Sequence, residues 1–133
     1  MINRKIFVSV MCLSLIALTS VSASAGSVTW TTAYGKATGS STTYTWSQPT
    51  SPTYRKVEAV TQNSMAAPKI AADVVGYYKG EQVMAAHNVA NNSNNVSAVS
   101  NSSKYANKDV YGTGSHAVWS STLARKTYYT SFK

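Results

Sequence analysis

Apolar and polar residues alternate along short stretches of this chain, with the period of a β-strand. In the stretch 27–35, Val28, Trp30 and Tyr34 share one parity, and small residues, mostly polar, fill the other. Successive side chains of a strand point to opposite faces. The pattern therefore predicts an opening strand with one aromatic face and one small polar face, ended by Gly35.

The same alternation recurs along the chain, in segments rich in Thr, Tyr, Val and Ser that favour strands. Further strands are expected at 42–46, 54–62, 70–78, 81–88, 105–111, 116–121 and 126–132. Connections are expected at 35–40, 48–53, 63–69 and 91–103. Seven or eight short strands at regular turn spacing predict an all-β fold, a small antiparallel β-sandwich or barrel.

Two of the connections have a distinct chemical character. Lys79-Gly80 separates two strand patterns and predicts a tight hairpin turn, because glycine accepts the backbone that such turns require. The stretch 91–103 is rich in Asn and Ser. It predicts a solvated loop around a short edge strand, and a polar binding rim is the alternative.

The beginning of the chain has the layout of an export signal. Arg4 and Lys5 precede a mostly apolar core at 6–18, and Ala23-Ser24-Ala25 forms a small-x-small cleavage site. This layout predicts a secretory signal peptide, with cleavage before Gly26 and an extracellular mature protein. The apolar core is shorter than the roughly 20 residues of a membrane-spanning helix, so no stable membrane span is expected.

Cleavage divides the chain into a signal peptide, 1–25, and a single β-sandwich domain, 26–133. Cys12 is the single cysteine and leaves with the signal. The mature domain is therefore expected to fold without a disulfide, held by aromatic burial and sheet hydrogen bonds.

The charge of the chain is strongly positive, with 12 basic and 4 acidic residues and a formal net charge of +8. Two of the basic residues belong to the signal, so the mature domain keeps a net positive charge. This balance favours a soluble surface or attraction to a bacterial envelope and its anionic headgroups. The basic residues form neither a stripe nor a recognition helix, which argues against nucleic acid as a partner.

The residues that carry most enzyme chemistry are scarce. His87 and His116 are the two histidines, and no nucleophile elbow, paired carboxylates or metal-ligand spacing accompanies them. The protein is therefore predicted not to be an enzyme and to need no cofactor or metal. A small secreted enzyme relying on these histidines is the remaining alternative.

Tyrosine dominates the aromatic residues, with nine Tyr against two Phe in the whole chain. Because the tyrosine hydroxyl prefers a wet partner, some of these rings are expected to line an aromatic, polar surface. Consecutive tyrosines of a strand place one ring on each face. The candidate binding surface comprises Tyr77, Tyr78, Trp119, Tyr128 and Tyr129.

Three short motifs recur in a recognisable order: Trp30-x-x-x-Tyr34-Gly35 behind the cleavage site, His116-Ala117-Val118-Trp119 after a glycine-rich turn, and the aromatic ending Tyr128-Tyr129-x-x-Phe132. Together they resemble the lactococcin 972 family of bacteriocins. The resemblance implies a Sec-exported, cysteine-free, basic β-sandwich of a Gram-positive bacterium. It further implies action on the cell-wall precursor lipid II, and a dedicated immunity protein or transporter.

Two binding functions follow from these observations. The first is a secreted bacteriocin-like antimicrobial protein that binds a cell-envelope component of competing Gram-positive bacteria. The alternative is a non-toxic secreted or cell-surface module for binding or adhesion, which the polar Asn and Ser stretch favours equally.

Overall fold

The computed structural model describes residues 24–119 and 125–133, in which all regular secondary structure is β. Most of the predicted signal peptide and the predicted strand end at 120–121 lie outside the described residues. No helix within these ranges has the length and apolar character needed to cross a membrane. The six strands are β1 Ser24–Thr32, β2 Gly35–Gln48, β3 Ser51–Tyr78, β4 Glu81–Ser102, β5 Tyr111–Trp119 and β6 Arg125–Phe132.

The long strand β3 organises a single antiparallel sheet. Its first half pairs with β2 and its second half with β5, so the order along one path is β1-β2-β3-β5-β6. The strand β4 pairs with both halves of β3. The register of β3 with β4 shifts between Gln62 and Ala67, which marks the bend between the two halves.

This bend brings the two ends of the sheet together. The ring of Trp30 in β1 stacks on that of Tyr128 in β6, with centroids 4.4 Å apart. Ser41 in β2 shares a hydrogen bond of 2.6 Å with Thr130 in β6. The sheet therefore curls almost into a barrel, and its concave face encloses the core.

Small and β-branched side chains fill that core. Val57 and Ala59 come from the first half of β3, and Ile70 and Val74 from the second half. Trp30 and Tyr34 pack against the edge of this cluster. Such small side chains allow the two halves of a strongly curved sheet to approach closely.

The all-β, antiparallel prediction is confirmed, whereas the expected number and length of the strands differ from the structure. The described residues form six strands, two of which exceed twenty residues. The predicted connection at 63–69 lies within β3, and the predicted loop at 91–103 lies mostly within β4. The segment 91–102 continues as a strand because most of its backbone pairs with β3, and β3 continues past 63–66 because its pairing with β4 resumes at Ala67.

Other predicted boundaries also differ. The expected turn at 35–40 belongs to β2, and the turn itself lies at Ala33-Tyr34, so Tyr34 and Gly35 are not part of the opening strand. The expected strand at 105–111 consists mainly of turns, and only Tyr111 belongs to β5. Its backbone bonds are local, from Lys108 N to Tyr105 O and from Ala106 N to Ser103 O.

The predicted hairpin turn is confirmed. Lys79 and Gly80 connect β3 to β4, and both have positive φ, 52° and 84°. Two successive residues in this conformation match the right-handed twist of the strands that they join. Lysine tolerates the left-handed region less well than glycine, so this turn keeps a basic residue at a small conformational cost.

Asn63 fastens the bend of β3 to the tip of the β1–β2 hairpin. Its side-chain Nδ2 donates to the carbonyl oxygens of Tyr34 and Met65, each at 2.9 Å. Its Oδ1 accepts a hydrogen bond of 3.0 Å from Thr32 Oγ1. The side chain is buried, so these partners take the place of water.

We expect Asn63→Ala to lower the free energy of unfolding by about 1–3 kcal/mol, because it leaves buried polar groups without partners. Urea denaturation, followed by circular dichroism, measures this change. The matched control is Asn91→Ala, at an exposed position, which should change stability by less than about 0.5 kcal/mol. Equal effects of the two substitutions would show that Asn63 does not fasten the bend.

Candidate functional site

His116 lies inside the curled sheet and is fully buried, with 0% of its surface exposed. Its Nδ1 is 2.9 Å from Thr61 Oγ1, and its Nε2 is 2.8 Å from Thr130 Oγ1. Thr61 Oγ1 also donates to the carbonyl oxygen of Ala71 at 2.8 Å. The ring thus links three strands, β3, β5 and β6.

Both nitrogens of the ring lie beside threonine hydroxyls whose protons are used elsewhere. Thr61 Oγ1 donates to the carbonyl oxygen of Ala71, and Thr130 Oγ1 donates to Ser41 Oγ at 2.6 Å. A neutral ring carries a single N–H, so it donates to one of the two threonines. Burial lowers the pKa of His116 to about 4, against a smaller opposing effect of Asp73. The ring is therefore neutral at physiological pH.

Two glycines pack against the same ring. A Cβ at Gly39 would lie 2.3 Å from the ring of His116, and one at Gly114 would lie 3.1 Å from its Nε2. A side chain at Gly39 would displace the imidazole, and one at Gly114 would crowd it and clash with Ser41 and Thr130. This packing leaves no room for a substrate at the ring, so the geometry assigns His116 a structural role.

His87 stands on the opposite, convex face. Its Nδ1 hydrogen-bonds Oδ1 of Asp73, and Ser115 Oγ donates to Oδ2 of the same carboxylate at 3.2 Å. The serine therefore contacts the acid rather than the histidine. A hydrolytic triad needs the histidine beside the nucleophile, so this cluster lacks that arrangement.

A single β-bulge brings His87 to Asp73. Counting from the turn, where Tyr78 pairs with Glu81, places Ala86 opposite Asp73. The register shift between Gly76 and Tyr77 moves the pairing by one residue, so His87 faces Asp73 instead. The sequence carries no clear signal for this bulge apart from the glycine itself.

Aromatic rings flank this cluster on the same convex face. Tyr77 stacks on Tyr111 with centroids 5.9 Å apart, and Lys69 Nζ lies 5.2 Å from the ring of Trp119. Tyr129 pairs in register with Ser115 between these ends. The exposed fractions of Tyr111 and Tyr129 are 42% and 71%. We call this surface the outer face; it comprises Lys69, Tyr77, Tyr111, Trp119 and Tyr129.

The five predicted surface residues thus lie at three places. Tyr77, Trp119 and Tyr129 lie on the outer face, with Tyr77 and Trp119 at its opposite ends. Tyr128 points to the concave side, where it stacks on Trp30. Tyr78 lies at the end of the β3–β4 hairpin, with its ring 5.7 Å from that of Tyr105. Tyr111 and Lys69 join the outer face only through the pairing of β3 with β5.

A cavity of about 390 Å³ opens beside Tyr78 at the tip of this hairpin. We call it the hairpin-tip cavity. Its lining comes from the β3–β4 hairpin and from the turns between β4 and β5, two segments that no pattern in the sequence connects. The lining residues are Tyr78, Lys79, Glu81, Val83, Lys104, Tyr105 and Lys108.

A second open cavity of about 390 Å³ lies at the bend of β3. Its lining is polar and includes Gln62, Asn94 and Asn95. The two asparagines belong to the stretch predicted as a loop or a polar binding rim. Because β4 continues through this stretch, their side chains stand on a strand at the rim of the cavity.

Among residues 24–119 and 125–133, no three His, Cys, Asp or Glu side chains come close enough to hold a metal ion. Comparison of the chain with protein-family models, with curated proteins and with solved structures gives no match. The arrangement of the described side chains therefore carries the functional argument.

Proposed function

We propose that the chain is a secreted, bacteriocin-like antimicrobial protein that binds a cell-envelope component of competing Gram-positive bacteria, with lipid II as the candidate target. The outer face is the observation that supports this proposal best. Exposed tyrosines supply large apolar area together with a hydroxyl group, a combination suited to glycans and lipid headgroups. The excess of basic residues favours approach to an anionic envelope.

The outer face presents its rings on a rigid support. Tyr111 and Tyr129 extend from strands whose opposite side faces the core, so little conformational entropy is lost when a partner covers them. The Asp73–His87 pair and Ser115 place polar groups between the rings. A surface of this type combines apolar contact with hydrogen bonding.

We expect Tyr111→Ala and Tyr129→Ala each to weaken binding to Gram-positive indicator cells, by about fivefold to thirtyfold, or 1–2 kcal/mol. Binding of labelled mature protein is measured by sedimentation with the cells, and growth inhibition is scored on the same strains. Met65→Ala is the matched control, because Met65 is 56% exposed and lies at the bend.

Two results would contradict the proposal: unchanged binding in both tyrosine variants, or absence of binding and inhibition across a broad strain panel. A competition arm with purified lipid II addresses the target. Displacement of the labelled protein from cells would support lipid II, and lack of displacement would direct attention to another envelope component.

The second candidate is a non-toxic adhesion module, and the polar cavity at the bend favours it. Amide side chains such as those of Asn94 and Asn95 suit the hydroxyl groups of a glycan. Under this function the protein is retained on cells without inhibiting growth. Substitution of the two asparagines by Ala should then abolish retention, while the outer-face variants should leave it intact.

A further inference from the structure

Three lysines surround two adjacent tyrosine rings at the hairpin-tip cavity. The Nζ atoms of Lys79 and Lys108 lie 5.4 and 5.9 Å from the ring centroid of Tyr78. That of Lys104 lies 5.4 Å from the centroid of Tyr105. The electron-rich ring faces partly offset the positive charge. The three ammonium groups are nevertheless gathered into one small region, where they repel each other.

The lining holds one acidic residue, Glu81. Three ammonium groups and one carboxylate leave the cavity with a local charge of about +2. Val83 and the two rings add apolar surface beside this charge. A matching ligand therefore carries negative charge at one end and a small carbon skeleton at the other.

We propose that the hairpin-tip cavity binds a phosphate ester. A phosphate monoester has a charge of about −1.5 to −2 at pH 7 and three acceptor oxygens, which fits the local charge better than a single carboxylate does. Lysine ammonium groups are compact donors that bind phosphate without a fixed approach geometry. The carbon skeleton of the ester lies against the rings of Tyr78 and Tyr105.

The size and construction of the cavity agree with this ligand class. Its volume of about 390 Å³ falls near the lower end of the range for small-molecule sites, about 300–1,000 Å³. Backbone bonds from Lys108 N to Tyr105 O and from Val110 N to Lys108 O hold the turn region that carries three of the lining residues, Lys104, Tyr105 and Lys108. The third lysine, Lys79, lies in the hairpin turn, where its backbone has a positive φ.

This site is distinct from the outer face and depends neither on secretion nor on toxicity. The outer-face residue Tyr77 has the opposite parity to Tyr78, so the two rings stand on opposite sides of β3. Binding of a phosphate ester can therefore succeed or fail independently of binding to indicator cells.

The test measures binding of sn-glycerol 3-phosphate to the folded protein by calorimetric titration at low salt. Substitutions Lys79→Asn, Lys104→Gln and Lys108→Gln should each weaken binding about tenfold, equal to 1.4 kcal/mol. Asparagine tolerates the left-handed backbone at position 79, so the turn is retained. Lys36→Gln removes one charge beside Ser64, at the bend of β3 and outside the hairpin-tip cavity, and is the matched control; it should leave binding within about twofold.

Glu81→Gln provides a test with the opposite sign. Removing the one carboxylate of the lining should tighten binding of sn-glycerol 3-phosphate by about threefold to tenfold. A variant that gains affinity cannot owe its effect to loss of the fold. Circular dichroism of all variants verifies that the strands remain intact.

A vesicle arm distinguishes a soluble ester from a lipid headgroup. Vesicles of phosphatidylglycerol and of phosphatidylcholine are compared by co-sedimentation. If the protein binds sn-glycerol 3-phosphate and the lysine variants weaken this binding, the ligand is a soluble ester. If it binds only phosphatidylglycerol vesicles and the lysine variants lose this binding, the ligand is a lipid headgroup. Lack of binding to both probes would overturn the proposal. An effect of Lys36→Gln equal to that of the cluster variants would overturn it as well.

Discussion

Acidification from pH 6.5 to pH 4 should cost this fold about 3 kcal/mol through His116 alone. The pKa of the buried ring is lowered to about 4 from its ordinary value of 6.5. The folded state therefore binds fewer protons than the unfolded state between these values. The contribution of His116 is fully present above pH 6.5 and is lost as the pH falls to 4.

A comparison of variants isolates this effect. In His116→Gln the loss between pH 6.5 and pH 4 should shrink by about 3 kcal/mol relative to the wild type, as measured by urea denaturation at a series of pH values. The substitution also lowers the free energy of unfolding at neutral pH. The comparison therefore uses the change of this free energy with pH rather than its absolute value. His87→Gln is the control and should retain the acid-dependent loss, because it leaves the buried ring in place.

Glu58 also makes stability depend on pH, so the wild type must be compared with His116→Gln rather than interpreted alone. Burial raises the pKa of its carboxyl group, with smaller opposing effects of Lys56 and of a hydrogen bond from Tyr44. A raised carboxyl pKa gives stability that is present at low pH and lost as the pH rises, the opposite sign to His116. Since Glu58 is unchanged in both proteins, its contribution cancels. A wild-type slope identical to that of His116→Gln would refute the role of the buried ring.

Phe132→Ala should lower the free energy of unfolding by about 3–5 kcal/mol, although the residue is next to last in the chain. Its side chain is only 3% exposed and belongs to the main core cluster. A Cβ at Gly112 would lie 2.7 Å from Cζ of Phe132, so the ring packs directly on the backbone of β5. The predicted mature domain lacks a disulfide to offset such a loss.

Denaturation in urea at pH 7 measures this change, with Tyr129→Ala in the same strand as the matched control. Tyr129 is 71% exposed, so its loss should alter stability by less than about 0.5 kcal/mol. A Phe132→Ala protein as stable as the control would mean that β6 does not close the core.

The sequence predicted the alternation of the strands well. It placed Val28 and Trp30 on one face, and the hairpin turn at Lys79-Gly80, because these depend on neighbouring residues alone. It did not predict how far the strands extend. The Asn and Ser residues of 91–103 have weak strand preference, and they form β4 because β3 offers a long edge with which to pair.

The candidate binding surface was predicted in part. Alternation correctly separated Tyr77 from Tyr78 and Tyr128 from Tyr129, since consecutive side chains of a strand diverge. It could not decide which ring of each pair faces outward. Tyr128 points inward because the bend of β3 brings β1 against β6, a contact between residues almost one hundred positions apart.

The strand character, the positive charge and the tight turn follow from the amino-acid sequence alone, since each is a property of short segments or of composition. Which side chains come into contact depends on the tertiary structure. The bulge beside Gly76 pairs His87 with Asp73, the curl of the sheet buries His116, and the turns after β4 bring Lys104 and Lys108 to Tyr78. These side-chain contacts depend on the register and curvature of the sheet, which arise only when distant strands pair.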